Sequence, residues 1–373
     1  MQHGLKYTSD PLEIKHFLLH CTILECIAHR SSARLGERRD AAMKMARHNG
    51  LQIERPMHTF YSDHFVLPLP PGHRFPMGKY RALRERVAQE RDCFQLAEAV
   101  AASDGELALA HEPAYVSAVT DGNLSVAQQR EIGFPWSPWM VERARRSVGA
   151  TICAARAALK EGVASNLAGG THHAGADKGA GYCVFNDVAV AARLMQAEWH
   201  RFHRALLRVV VIDLDVHQGN GTAAIFQDDP TVFTFSMHGE KNFPFRKERS
   251  DLDVDLPDGC TDRPYLEKLD RALDAIWIHH RGALPGLAFY LAGADPHERD
   301  RLGRLKLTTQ GLAQRDRMVL DALRERRIPV AVSMAGGYGR DIEETVDIQL
   351  GTLRCACQSW RQWNNTQHDS PAT

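Results

Sequence analysis

Val209-Val210-Val211-Ile212-Asp213-Leu214-Asp215-Val216-His217-Gln218-Gly219-Asn220-Gly221 decides how this chain is read. It begins as a β-branched apolar run, the composition of a strand buried in a parallel sheet. Asp213, Asp215 and His217 follow at alternate positions, which puts all three on one side of an extended backbone. Burying two carboxylates and an imidazole together is costly unless a cation compensates them, and a divalent metal does so. The Gly219-Asn220-Gly221 turn suits a tight strand-to-helix corner, where ligands collect in open α/β sheets. Taken alone, the same pattern also fits a strand end whose acids cap the next helix.

Three further segments decide between these readings. Leu167-Ala168-Gly169-Gly170-Thr171-His172-His173-Ala174-Gly175 sets two adjacent histidines in a glycine-rich turn, with Gly179-Ala180-Gly181-Tyr182-Cys183 just beyond. Leu287-Ala288-Phe289-Tyr290-Leu291-Ala292-Gly293-Ala294-Asp295 is a second buried strand that ends in a lone aspartate. Val330-Ala331-Val332-Ser333-Met334-Ala335-Gly336-Gly337-Tyr338-Gly339 is a third strand, running into a glycine-flanked tyrosine. Each alone fits a structural role. Four strand ends carrying Asp, His and Tyr chemistry in this order do not fit coincidence.

Together these motifs resemble the zinc-dependent histone deacetylase family, within the arginase/deacetylase superfamily. The likeness runs from about Met57 to about Gly351. Leu67-Pro68-Leu69-Pro70-Pro71-Gly72-His73-Arg74-Phe75-Pro76-Met77-Gly78-Lys79-Tyr80 and Gly133-Phe134-Pro135-Trp136-Ser137-Pro138 look like the class IV type and its bacterial relatives. The resemblance implies Asp215, His217 and Asp295 as metal ligands, with a position left open for water and substrate. Two carboxylates and one imidazole suit Zn2+ and leave Fe2+ plausible. It implies His173 as the base and His172 as electrostatic support, with Asp213 behind His172 and Asn220 behind His173. Tyr338 would donate its hydroxyl to the developing oxyanion.

Further roles follow from the same likeness. Gly181, Tyr182 and Phe243 would line the acyl tunnel, and Arg74 would stand at its inner end near an acetate exit. A monovalent ion, K+ or Na+, would involve Asp213, Asp215, His217 and Ser236. The implied reaction is removal of an acetyl or longer acyl group from an N-ε-acyl-lysine protein or peptide. A small acylated amine such as an acetylpolyamine is the alternative substrate. An arginase-type ureohydrolase needs further carboxylates where Gln218 and Asn220 stand. A catalytically silent acyl-lysine binding module would have no need of every catalytic group.

Composition sets the surroundings. The 373 residues carry 46 basic and 46 acidic side chains, so no global field draws the chain to nucleic acid or an anionic membrane. Eight cysteines occur without a C-x-x-C pair, which argues against a zinc ribbon or a disulfide scaffold and fits the cytoplasm. No apolar run reaches the ~20 residues that span a bilayer. Residues 1–56 carry nine Lys/Arg and six Asp/Glu and lie outside the resemblance. They read as an upstream leader without stable structure, in preference to a docking helix.

The expected fold is α/β: a single domain, a central parallel sheet with helices on both faces, and the metal site at the C-terminal strand ends. The catalytic domain is placed at 57–358 and a flexible tail at 359–373, with the oligomeric state left open. Strands are expected near 209–214, 231–236, 287–292 and 330–334. Helices are expected near 80–102, 138–160, 188–200, 264–280, 310–327 and 342–358.

Overall fold

The computed structural model describes residues 56–64 and 66–365. The chain divides into two units, Met1–Arg55 and Pro56–Thr373. The expected leader thus lies, apart from Pro56, outside the described residues.

Within the second unit the elements are β1 (Met57–Tyr61), α1 (Gly78–Val87), β2 (Phe94–Glu98), α2 (Asp104–Leu107), α3 (Pro113–Asp121), α4 (Val126–Ile132), α5 (Pro138–Glu161) and β3 (Val163–Asn166). They continue as α6 (Asp187–His203), β4 (Val209–Asp213), α7 (Asn220–Phe226), β5 (Val232–Gly239), β6 (Leu252–Leu256), α8 (Asp262–His279), β7 (Leu287–Leu291), α9 (Thr309–Glu325), β8 (Val330–Ser333) and α10 (Ile342–Asn365). The eight strands form one sheet in the order β2-β1-β3-β8-β7-β4-β5-β6, and every pairing is parallel.

The central strand β4 shows why the sheet is covered on both sides. Val210 and Ile212 join one core with Leu83, Leu269, Leu320 and Leu353, so they face α1, α8, α9 and α10. Val209 and Val211 join the other with Val148, Val188 and Ala191, and face α5 and α6. With side chains alternating at period 2, a strand apolar at every position must be covered on both faces. Each such buried aliphatic side chain contributes about 1.5–3 kcal/mol.

Two expectations fail. A helix over 80–102 is not formed: α1 stops at Val87, and Phe94–Glu98 is strand. The polar turn Gln89-Glu90-Arg91-Asp92 separates them, with Cys93 N bonded back to Glu90 O at 2.9 Å. As an edge strand of five residues, β2 carries too short an alternation to stand out from a helical pattern. A flexible tail is also not found over residues 359–365, because α10 continues to Asn365 with Ser359, Trp360 and Trp363 buried, while residues 366–373 of that expected tail lie outside the described residues. Trp363 lies beneath Gly162, where a Cβ would come within 2.4 Å of the indole. Strands β1 and β6 complete the sheet without having been anticipated.

Candidate active site

The loops that follow β3, β4, β7 and β8 meet at the C-terminal ends of adjacent strands, where open α/β sheets bind ligands. Asp213 ends β4, Asp215 and His217 lie in the loop after it, and Asp295 stands four residues beyond β7. One nitrogen of His217 and one carboxylate oxygen from each of Asp215 and Asp295 lie within 4.8 Å of one another, and all three residues are buried. Both carboxylates are also tied to backbone, and Asp215 Oδ1 lies 2.8 Å from His217 Nδ1. Asp215 Oδ2 accepts from Gly336 N at 2.7 Å, and Asp295 Oδ1 accepts from Val216 N at 3.0 Å. Asp295 Oδ2 is buried without a hydrogen bond, although His217 Nδ1 is 3.2 Å away. Gly336 leaves the space: a Cβ there would come within 1.9 Å of Asp295 Oδ2 and 2.5 Å of Asp215 Oδ2.

The electrostatics show what this trio of donors favours. Burial opposes a charge on His217, but Asp215 and Asp295 overcome it and raise its pKa to about 10. Burial, with Asp215 beside it, lifts Asp295 to about 7. The protons held there substitute for a cation, and a divalent metal would displace them. An Asp-His-Asp donor set with a cradle this close is a fit for zinc or iron(II).

His172 and His173 bracket that trio. His172 Nδ1 lies 2.6 Å from Asp213 Oδ2, and Gly219 permits the contact, since a Cβ there would come within 2.3 Å of the same oxygen. Burial disfavours the imidazolium, but Asp213 and Asp215 raise His172 to about 9. His173 Nδ1 lies 2.7 Å from Asn220 Oδ1, at the first residue of α7. Its burial, then the charges of His172 and His217, push it well below the ordinary histidine range. The two adjacent histidines are thus pushed in opposite directions, His172 up by its carboxylates and His173 down by burial and the neighbouring histidine charges.

Tyr338 lines the same cavity as His173, and the rings of His173 and Tyr338 lie 5.8 Å and 6.2 Å from that of His217. Its backbone is held at both ends, N donating to Asp300 Oδ2 at 2.6 Å and O accepting from Arg301 Nε at 2.7 Å. Burial, reinforced by Asp215 and Asp295, keeps the phenol protonated far above its ordinary pKa. Gly181, at φ 53°, lies between His173 and Phe243, where a Cβ would come within 2.6 Å of the imidazole and 3.0 Å of the phenyl ring. Phe243 meets His173 edge-on with centroids 4.8 Å apart. Tyr182 lines the same cavity as His173 and Tyr338, its ring 6.0 Å from that of Tyr338, and it also packs in an aromatic cluster with Phe75 and Phe134, at 5.2 Å and 5.3 Å. Ser236 lies opposite Asp213 in the β4–β5 register, with its Oγ 2.9 Å from His238 Nδ1.

Arg74 is not at the inner end of the tunnel. Its side chain is exposed, and its carbonyl accepts from Arg301 Nη2 at 3.0 Å. The buried cation behind Tyr338 is Lys79, 1% exposed, whose Nζ donates to Gly337 O at 3.1 Å and lies 5.3 Å from the Tyr338 ring. Nothing in the sequence separates Lys79 from the solvated lysines of an ordinary first helical turn. Arg315 was equally unforeseen. Fully buried on α9, it donates through Nη1 to Gly293 O at 2.6 Å and Leu214 O at 3.3 Å, bridging the two metal-ligand loops. Here a signal existed: Arg315 and Asp316 fall on the apolar stripe of Leu312, Val319 and Leu320.

Comparison with known proteins agrees with this geometry. The family profile described as histone deacetylase domain matches residues 73–349. An uncharacterized protein of Picosynechococcus sp. is 46% identical over 292 residues, covering 77% of this chain and 93% of that protein. Histone deacetylase 2 of Arabidopsis thaliana is 38% identical over 202 residues, 52% of this chain and 49% of its own length. The human polyamine deacetylase HDAC10 is 34% identical over 184 residues, 46% of this chain and 26% of its own length. The chain thus spans half or less of these two named relatives. Among solved structures, the HD domain of HDA15 matches with a TM-score of 0.65 at 20% identity, covering 84% of this chain and 95% of that one. An HDAC homolog from Aquifex aeolicus matches with a TM-score of 0.65 at 21% identity, covering 83% and 84%. The architecture is therefore arginase/deacetylase-like, and the chain belongs to the histone deacetylase family.

Proposed function

We propose that the protein is a metal-dependent amide hydrolase that removes an acetyl or other acyl group from N-ε-acyl-lysine. The observation that carries this reading is that His173 and Tyr338 line one cavity with Asp215, their rings 5.8 Å and 6.2 Å from that of His217 in the Asp215–His217–Asp295 trio. A divalent metal bound there supplies Lewis acidity, polarising the acyl carbonyl and lowering the pKa of water in the site.

The chain's own groups do the rest. His173, held by Asn220 so that Nε2 is its free acceptor, takes the proton of the attacking water and returns it to the leaving amine. His172 stays charged against Asp213 and favours the negative charge that builds on the acyl oxygen. Tyr338 donates its hydroxyl to that oxygen. Gly181 and Phe243 hold the lysine stem between apolar walls beside His173. A monovalent ion shared by Asp213, Ser236 and the main chain at Asp215 and His217 would stiffen the ligand loop from below.

Acetylpolyamines are the competing substrate class, since one relative carries the name polyamine deacetylase. The test is hydrolysis of acetyl-lysine peptides and acetylpolyamines by protein reconstituted with zinc or iron(II), beside His173→Ala. Peptide turnover abolished by the substitution supports the reading. Turnover of polyamines alone moves the substrate, and no turnover with metal bound overturns the enzyme reading in favour of a binding module.

A further inference from the structure

One cavity joins Tyr338 and His173 to Tyr80 of α1 and to Arg143 and Ser147 of α5. It holds about 420 Å³ of space between atoms, counting its open mouth, and its walls include Phe75, Tyr80, Arg143, Ser147, Thr171 and Tyr338. The half-buried Arg143 of α5 reaches it with its guanidinium 4.7 Å from the Tyr80 ring and 5.5 Å from that of Phe75. Lys79 lies near the same two rings, at 5.1 Å and 5.9 Å. Arg143 thus lines the chamber, and a second cation stands by two of its aromatic walls.

The carboxylates nearby are already engaged. Asp63, which lines the adjoining cavity with Arg143, pairs with Arg84 at 2.7 Å. Glu142 pairs with Arg146 at 2.7 Å. Asp187, behind Thr171, accepts from Thr151 at 2.6 Å and from Thr171 Oγ1 at 2.7 Å. Among the described residues, Arg143 and Lys79 have no carboxylate partner. Lys79 is satisfied by the carbonyls of Ala335 and Gly337, whereas Arg143 has only aromatic faces. A guanidinium in a partly dry chamber that no acid of the fold neutralises favours an anion, and its planar donors match a carboxylate.

We propose that this chamber is a carboxylate subsite, in which Arg143 with Lys79 behind it receives the distal carboxylate of a short dicarboxylic acyl group on lysine. The proposal rests on the hydrolase reading above and specifies its substrate class. The reaction balances as a simple hydrolysis: water adds to the acyl carbon, the amide C–N bond breaks, the lysine amine takes a proton, and a dicarboxylate leaves. A carboxylate also arises as product when acetyl is removed. The two sources separate kinetically, because kcat/KM is set before product leaves.

The experiment measures kcat/KM on one lysine peptide carrying acetyl, succinyl or glutaryl, and the neutral amide isosteres succinamoyl and glutaramoyl. The metal-reconstituted wild type is compared with Arg143→Gln and Arg143→Lys. A charge-assisted bond of about 1.5–3 kcal/mol predicts that wild type prefers a diacid over its amide by roughly 10- to 150-fold. Arg143→Gln should bring that ratio near one, and Arg143→Lys should keep part of it. Turnover of acetyl with the diacids refused, or with diacid and amide equal, overturns the subsite and leaves the hydrolase reading standing. A fall in kcat common to every acyl group, with the ratio intact in Arg143→Gln, overturns it in favour of product release. No turnover of any acyl group with metal bound removes both. If the glutamine variant does not fold, the wild-type ratio and the lysine variant still decide.

Discussion

Asn220 faces His173 with an amide oxygen at 2.7 Å, while Asp213 faces the neighbouring His172 with a carboxylate oxygen at 2.6 Å. The two rings are only 4.1 Å apart, so charge on one discourages charge on the other. Replacing Asn220 by aspartate adds a negative charge beside His173 and raises its pKa. The base must be neutral to act, so the acid limb of the kcat/KM profile should move to higher pH. A shift of about one unit corresponds to about 1.4 kcal/mol. An acid limb that does not move in Asn220→Asp would show that His173 is not the base.

Tyr338→Phe isolates a single hydroxyl. The backbone of Tyr338 is fixed by Asp300 and Arg301 whatever its side chain, so the loop should keep its place. Loss of an oxyanion donor typically costs about 100- to 1,000-fold in kcat. We expect that loss with melting temperature and metal content unchanged. A variant within a few-fold of wild type would remove Tyr338 from the mechanism.

What the sequence disclosed, and what it did not, follows from how each signal is encoded. Asp213, Asp215 and His217 announce themselves because three polar groups at period 2 interrupt a run that has to be buried. Strands β4, β7 and β8 are legible for the same reason, being apolar at nearly every position, and β5 is legible by alternation, with Phe233, Phe235 and Met237 between Thr234, Ser236 and His238. The edge strands β2 and β6 are half polar and short, and so lack that contrast. Arg74 and Lys79 sit five residues apart in one segment, and only the turn of the chain into α1 decides which is buried. The position of Tyr182 depends on a positive φ of 68°, which its residue type does not advertise.

His111 gives the fold a pH dependence of its own. Its Nε2 accepts from Asn186 N at 2.9 Å, and Asn186 caps α6 by accepting from Ala189 N at 2.9 Å. Burial lowers the His111 pKa to about 4, so the folded protein prefers the neutral ring. In the unfolded chain the ring protonates near its ordinary value of 6.5. The contribution is therefore complete above pH 6.5, falls as pH drops towards 4, and is flat below. Between pH 6.5 and about pH 5 the loss should be about 2 kcal/mol. Urea unfolding of the wild type and His111→Gln across this range should show that difference in slope. Parallel curves would mean that the ring is charged or solvated in the fold.

Arg315 ties the metal ligands to the body of the protein. Asp316 accepts from Tyr290 Oη at 2.5 Å and from Thr352 Oγ1 at 2.6 Å, and its Oδ1 lies 2.8 Å from Arg315 Nη2. The guanidinium is thereby aimed at the carbonyls of Leu214, which precedes Asp215, and of Gly293, two residues before Asp295. Arg315→Met would leave Asp316 buried without its counter-charge, at a cost of about 3–5 kcal/mol. Stability alone therefore cannot separate a clamp from a core ion pair. Arg315→Lys can. It keeps the charge near Asp316 but has no fork with which to reach both carbonyls. Supporting groups around metal ligands typically change affinity by about 10- to 100-fold, and Arg315→Lys should weaken zinc binding within that range in competition with a chelator. Unchanged zinc affinity in a folded Arg315→Lys protein would confine Arg315 to holding α9 against the sheet.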